Sequence, residues 1–119
     1  MPIAELLTQI KKATGRDPAI DRRIADALDG GDLGQTVPDY TASVERCVEL
    51  IRRTLPGWHW HVGYGATGIM PYAMVSEGTR RYEATAATVP VALLDVMLQA
   101  LVAVSDDPLA VGATNAHDP

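Results

Sequence analysis

The residues best equipped for chemistry lie just past the middle of the chain. His59-x-His61 places two imidazoles two positions apart. On a strand they project from one face, about 7 Å apart along it, and that suits two ligands of a single metal ion. A site needs a third and usually a fourth ligand; Glu83 or Glu77 on neighbouring strands could supply one. No second cluster of His, Cys or Asp is spaced to complete the set, so no resident metal is expected, with His59 and His61 the only candidate ligands. Directly after them, Gly63-Tyr64-Gly65-Ala66-Thr67-Gly68 matches the glycine pattern of dinucleotide-binding turns. That chemistry requires a helix to begin there, because helix N-terminal amides hold the pyrophosphate. Ile69-Met70-Pro71-Tyr72 follows instead, too proline-marked for a crossover helix. The segment reads as a hairpin turn, and no cofactor is expected.

The remaining reactive residues lack partners in the sequence. Cys47 is the single cysteine, so it forms no internal disulfide. It sits among Val44, Val48 and Ile51, where a thiol serves as a small apolar side chain. Asp106-Asp107 falls in a loop-like tail and reads as a solvated charge pair. Arg22-Arg23 and Arg52-Arg53 are interleaved with Asp21, Asp26 and Glu49, which makes mixed exposed helix faces rather than a phosphate track. Ser43 and Ser76 have no histidine or glycine elbow beside them. The chain is therefore not expected to be an enzyme.

Composition narrows the class. The chain has 119 residues, 47% hydrophobic and 21% charged, with a net charge of −5. That is one domain's worth of chain with enough apolar content for a core. The acidic balance argues against a protein devoted to duplex nucleic acid or an anionic membrane. Its charge is uneven: residues 1–57 carry net −1 and residues 58–119 net −4. The longest apolar stretch, Val89 to Val104, is interrupted by Asp95 and Gln99 and is too short to cross a bilayer. The first residues show no secretory pattern. With the lone cysteine, this leads us to expect a reducing cytoplasm.

The elements that position these residues follow from periodicity. Ile3, Leu6, Leu7 and Ile10 make a helical stripe, with Gly15 as its expected stop. Asp17-Pro18 caps a second helix striped by Ile20, Ile24 and Leu28 and ended by Gly30-Gly31. A third, opening near Asp39 or Thr41, turns Tyr40, Val44, Cys47, Val48, Ile51 and Leu55 inward, pairs Glu49 with Arg53, and stops at Pro56-Gly57. The period then switches to two. Trp58, Trp60, Val62 and Tyr64 alternate with His59, His61 and Gly63, and the two tryptophans read as core anchors. A second strand spans Ile69 to Ser76, its Pro71 suggesting an edge or a bulge. Glu77-Gly78-Thr79 turns into a third strand, Arg81 to Ala87, with Tyr82, Ala84 and Ala86 on one side and Arg81, Glu83 and Thr85 on the other. Thr88 caps a final helix that is apolar nearly all round, which implies burial on more than one face. The fold class is α+β, in the order α-α-α-β-β-β-α: a single domain over 1–104 and a flexible acidic tail over 105–119.

Three segments also resemble a known family. Val37-Pro38-Asp39-Tyr40-Thr41 at a helix start, Leu55-Pro56-Gly57-Trp58 entering a strand, and Ala86-Ala87-Thr88-Val89-Pro90-Val91-Ala92-Leu93 entering the closing helix are similar to the small phage alpha-beta-alpha sandwich domain family. The last has one inserted residue before the proline. Asp21-Arg22-Arg23-Ile24-Ala25-Asp26-Ala27-Leu28 resembles a helix found upstream of that domain, so the likeness spans residues 17–104. It implies a phage or prophage origin and helices on both sheet faces, in which case the two N-terminal helices would cover the polar His59, His61, Arg81 and Glu83 face. It supplies no active-site residue.

The functional expectation is a small non-enzymatic accessory protein that acts by binding another protein or itself. A homodimer through an uncovered part of the apolar last helix is one such form. The alternative is a nucleic-acid-binding module, since helix–three strands–helix is the order of double-stranded RNA-binding domains. Against it stand the negative charge and the absence of basic residues where the last helix starts.

Overall fold

Local capping chemistry sets where the helices begin. The computed structural model describes residues 2–28, 36–65 and 68–106. Helix α1 runs Ile3–Ile10, α2 Pro18–Leu28, α3 Val44–Thr54 and α4 Val89–Asp106; strands β1, β2 and β3 run His59–Tyr64, Pro71–Glu77 and Arg80–Thr85. Asp17 caps α2: its Oδ1 accepts the amides of Ala19 and Ile20, both at 3.1 Å. Thr88 Oγ1 accepts the Val91 amide at 3.4 Å at the head of α4. The third helix begins later than its sequence suggests. A 3₁₀ turn occupies Tyr40–Ala42, and Ser43 is the cap, accepting the Arg46 amide at 3.1 Å. The first helix also stops earlier, at Ile10, because Lys12 and Ala13 donate to carbonyls three residues back and tighten the last turn. Gly30-Gly31, expected to end α2, lies outside the described residues.

The strands form one antiparallel sheet in the order β1-β2-β3. Trp60 pairs with Val75 and Val75 with Tyr82; His61 pairs with Met74 and Met74 with Glu83. Paired residues share a face, so one side carries Trp60, Val62, Ala73, Val75, Tyr82 and Ala84. The other carries His59, His61, Tyr72, Met74, Ser76, Arg81, Glu83 and Thr85. β2 is the central strand, not an edge, and its ladder is continuous rather than bulged. Pro71 is tolerated because it is the first residue of β2, where its missing amide removes only a terminal bond. Glu77 pairs with Arg80 across Gly78-Thr79, and Gly78 alone takes a positive φ, +62°, as a two-residue type II′ hairpin requires.

Helix α4 is the middle layer. It packs across β2 and β3 on one side, and against α1, α3 and the 3₁₀ turn on the other. Residues 91–98 are consequently all buried, as the apolar character of this segment on all sides but Asp95 implies. The one carboxylate among them, Asp95, accepts hydrogen bonds from Lys11 Nζ at 3.2 Å and Gln99 Nε2 at 2.7 Å, tying α1 to α4. The second sheet face is not covered by the N-terminal helices. Among the described residues α1 packs on α4 and α2, and α2 packs on α1 and the 3₁₀ turn, so helices lie on one sheet face only. The physical reason is α4 itself, whose second apolar side must be buried and takes the helices that would otherwise be free for the sheet. No helix among the described residues is long and apolar enough to cross a membrane.

Pro56-Gly57 makes the break between helix and sheet. The Trp58 amide donates to Leu55 O at 3.1 Å, and Gly57 sits at φ +88° with nothing within 4 Å of where a Cβ would be. Backbone strain is then the whole cost of a side chain there. Gly57→Ala is expected to lower stability by about 1–2 kcal/mol, read as a drop in the urea midpoint.

Candidate functional site

Two surfaces collect the residues that could act on something outside the chain. The first is the open sheet face. His59 and His61 are both exposed there on β1, at alternate positions, as the sequence pattern demands. Of the two carboxylates considered as further ligands, Glu83 shares their face and Glu77 does not. By alternation Glu77 falls with Val75 on the tryptophan side. Glu83 lies across Met74 from His61 and is already engaged, accepting from Tyr72 Oη at 3.2 Å and pairing with Arg81 Nε at 2.6 Å. Tyr72, and then Glu83, hold the Arg81 guanidinium still more firmly in its charged form. Among the described residues no group of three or more His, Cys, Asp or Glu gathers to hold a metal ion.

The second surface is the end and outer edge of the hairpin β1–β2. Trp60 is 36% exposed, Tyr64 62%, Ile69 73% and Met70 47%. The two tryptophans thus differ from their joint reading as anchors. Trp58 stacks on Tyr82, with ring centroids 6.3 Å apart, and packs on the core. Trp60 and Tyr64 lie on the helix-facing side of β1, but α4 sits over β2 and β3 and barely reaches β1. The uncovered apolar surface is therefore on the sheet's edge strand. Residues 91–98 of α4, the helix expected to offer a dimer face, are enclosed, and its half-buried residues fall in its first and last turns.

The glycine pattern at 63–68 joins strand to strand. The Gly65 amide donates to Met70 O at 2.8 Å, Gly68 takes φ +73°, and β2 follows where a nucleotide site would start a helix. Residues 66 and 67 of that pattern, like Asp107 of the acidic pair, lie outside the described residues. Ser43 is spent as a helix cap. Cys47 is buried, and its thiol donates to Tyr40 O at 3.1 Å. Burial first, then the nearby Asp21 and Asp39, push its pKa far up, so it stays a thiol. Glu49 pairs with Arg46 at 3.1 Å on the exposed side of α3. A cavity of about 240 Å³ is lined, among the described residues, by Ile3, Ala4, Val102 and Ser105, none of which is ionisable.

One polar site is absent from the sequence reading. Asp21, read with its arginine neighbours as part of an exposed face, is 3% exposed. Its Oδ1 accepts both the Thr41 amide, at 2.8 Å, and Thr41 Oγ1, at 2.9 Å, while Thr41 Oγ1 accepts the Asp17 amide at 2.8 Å. Burial outweighs these bonds and raises the carboxyl's pKa. These bonds fasten α2 to the 3₁₀ turn. Comparison with protein-family models, with curated proteins and with solved structures finds no match in any of the three.

Proposed function

We propose that this chain is a non-enzymatic protein-interaction module that presents β1 and the turn after it to another polypeptide. The observation that carries this reading is the exposure of Trp60, Tyr64, Ile69 and Met70 along one edge strand and its turn. Exposed apolar groups gathered in this way mark interaction surfaces, whereas scattered ones do not. An accessory role in a phage or prophage, in the host cytoplasm, belongs to the same proposal and rests on the motif resemblance and the single thiol. The nucleic-acid alternative shares the order α3-β1-β2-β3-α4. It gains no support from the surface, since α4 opens with Val89-Pro90-Val91-Ala92 and offers no cation to a phosphate.

The test is a random-peptide library panned against the wild-type chain and against Trp60→Ser/Tyr64→Ser. Extended, β-branched peptides that bind the wild type with Kd of about 1–100 μM and lose at least about tenfold on the variant would support the reading. No variant-sensitive binder, or a low-salt gel shift with duplex DNA or RNA at micromolar protein, would overturn it.

A further inference from the structure

We infer that the occupant of the β1 edge is β1 of a second copy, joined antiparallel about a two-fold axis at Val62 to make one six-stranded sheet. This rests on the interaction reading above and narrows it to a partner. The first ground is that the edge is unguarded. Edge strands are normally blunted by charge, proline or a bulge. β3 carries Arg80, Arg81 and Glu83, but β1, His-Trp-His-Val-Gly-Tyr, has no acidic or basic side chain beyond its histidines and no proline. Its register with β2 runs unbroken from His59 opposite Ser76 to Tyr64 opposite Pro71.

The second ground is which peptide groups face out. The Gly65 amide bonds to Met70 O, so in the alternating antiparallel ladder the odd-numbered residues 59–65 bond to β2. The amides and carbonyls of Trp60, Val62 and Tyr64 therefore point away from β2, at the free edge. Two such edges can exchange hydrogen bonds only where outward residues meet outward residues.

The third ground is that one register satisfies everything at once. With Val62 opposite Val62, each Trp60 stands opposite the Tyr64 of the other copy, and all six side chains lie on the helix-facing side. His61 then falls opposite Gly63, so no imidazole meets another. A one-residue slip would set the apolar face against the polar one. A two-residue slip toward Trp60 would oppose His61 to His61 and take Tyr64 off the end of the strand. Charge agrees with this arrangement. In a chain of net −5, β1 carries no carboxylate, so two copies meet there without apposing like charges.

The area sets the strength. The exposed parts of Trp60 and Tyr64 with the strand backbone bury on the order of 800 Å² over both copies, below the range of stable interfaces and in that of weak, transient ones. A dimer with Kd in the tens of micromolar is expected.

Sedimentation equilibrium of the full chain from about 5 to about 500 μM tests it. The expected result is a rise from 12.7 kDa toward twice that mass. Tyr64→Lys and Trp60→Glu should each weaken the dimer at least about tenfold, and the double variant should recover it, because this register alone puts the new Glu opposite the new Lys. Both side chains are exposed, so circular dichroism should show the fold unchanged. A chain that stays monomeric at 500 μM, a dimer indifferent to the single variants, or singles that weaken without recovery in the double would overturn the proposal. The monomer outcome leaves the interaction reading standing on the peptide experiment, which fails or succeeds independently.

Discussion

Leu93→Ala is expected to cost about 3–4 kcal/mol, the largest effect of any single truncation considered. Helical spacing places Leu93, Met97 and Ala100 on the side of α4 opposite Asp95, and Asp95 faces α1 through Lys11. Leu93 therefore lies toward the sheet, and it is 0% exposed. Removing its side chain opens a cavity in a layer held from both sides, where neighbours have little room to collapse. Against a total stability of about 5–15 kcal/mol for a domain of this size, the loss is a large fraction. Urea unfolding followed by tryptophan fluorescence reads it directly. Leu93→Met, which nearly conserves volume, should cost under about 1.5 kcal/mol, and exposed Tyr64→Ala only about 0.5 kcal/mol or less. Equal losses at positions 93 and 64 would contradict the placement of α4 between the sheet and the N-terminal helices.

The second large effect falls on Asp21. Asp21→Ala leaves the buried Thr41 amide and hydroxyl without their acceptor and should cost about 2–3 kcal/mol. Asp21→Asn keeps an oxygen for both bonds and removes the buried charge, so its cost is under about 1 kcal/mol near neutral pH. The two variants also separate by pH. Burial, aided by Asp39, raises the carboxyl's pKa against the opposing bonds from Thr41. The folded chain thus holds this proton more tightly than the unfolded one. The resulting stabilisation is fully present below the unfolded value of 3.8 and is lost as pH climbs through the higher folded-state value. Urea midpoints of wild type and Asp21→Asn should accordingly shift in favour of the Asn variant as pH rises from about 3 to about 7. A pH-independent difference would mean the carboxylate is not desolvated in the fold.

Features decided within a few residues were legible in the sequence. Asp17 and Thr88 announce their helices by side-chain type, Pro56-Gly57 marks the change of period, and the alternation of Tyr82 and Ala84 with Arg81 and Glu83 gives the two faces of β3. Features decided by what packs where were not. Pro71 suggests an edge strand until one knows that it begins β2 and that β2 lies in the middle. Trp58 and Trp60 share a face and a residue type, yet only one is covered, because the lateral position of α4 is a tertiary fact. Asp21 sits among arginines in the sequence and beneath Thr41 in the fold. The apolar excess of the last helix correctly implied burial on several sides. It could not show that helices, rather than a second chain, complete that burial.

The placement of α4 has a consequence for biosynthesis. The segment on which every other described element except α2 packs is also the last described one to leave the ribosome. Asp95, the partner of Lys11, is translated 84 residues after it. Until then α1 lacks the helix it chiefly packs on, and isolated helices of its length are marginal in water. A nascent chain paused before Val89 is therefore an exposed amphipathic string rather than a partial domain, and folding proceeds as one late, concerted event once the keystone helix emerges.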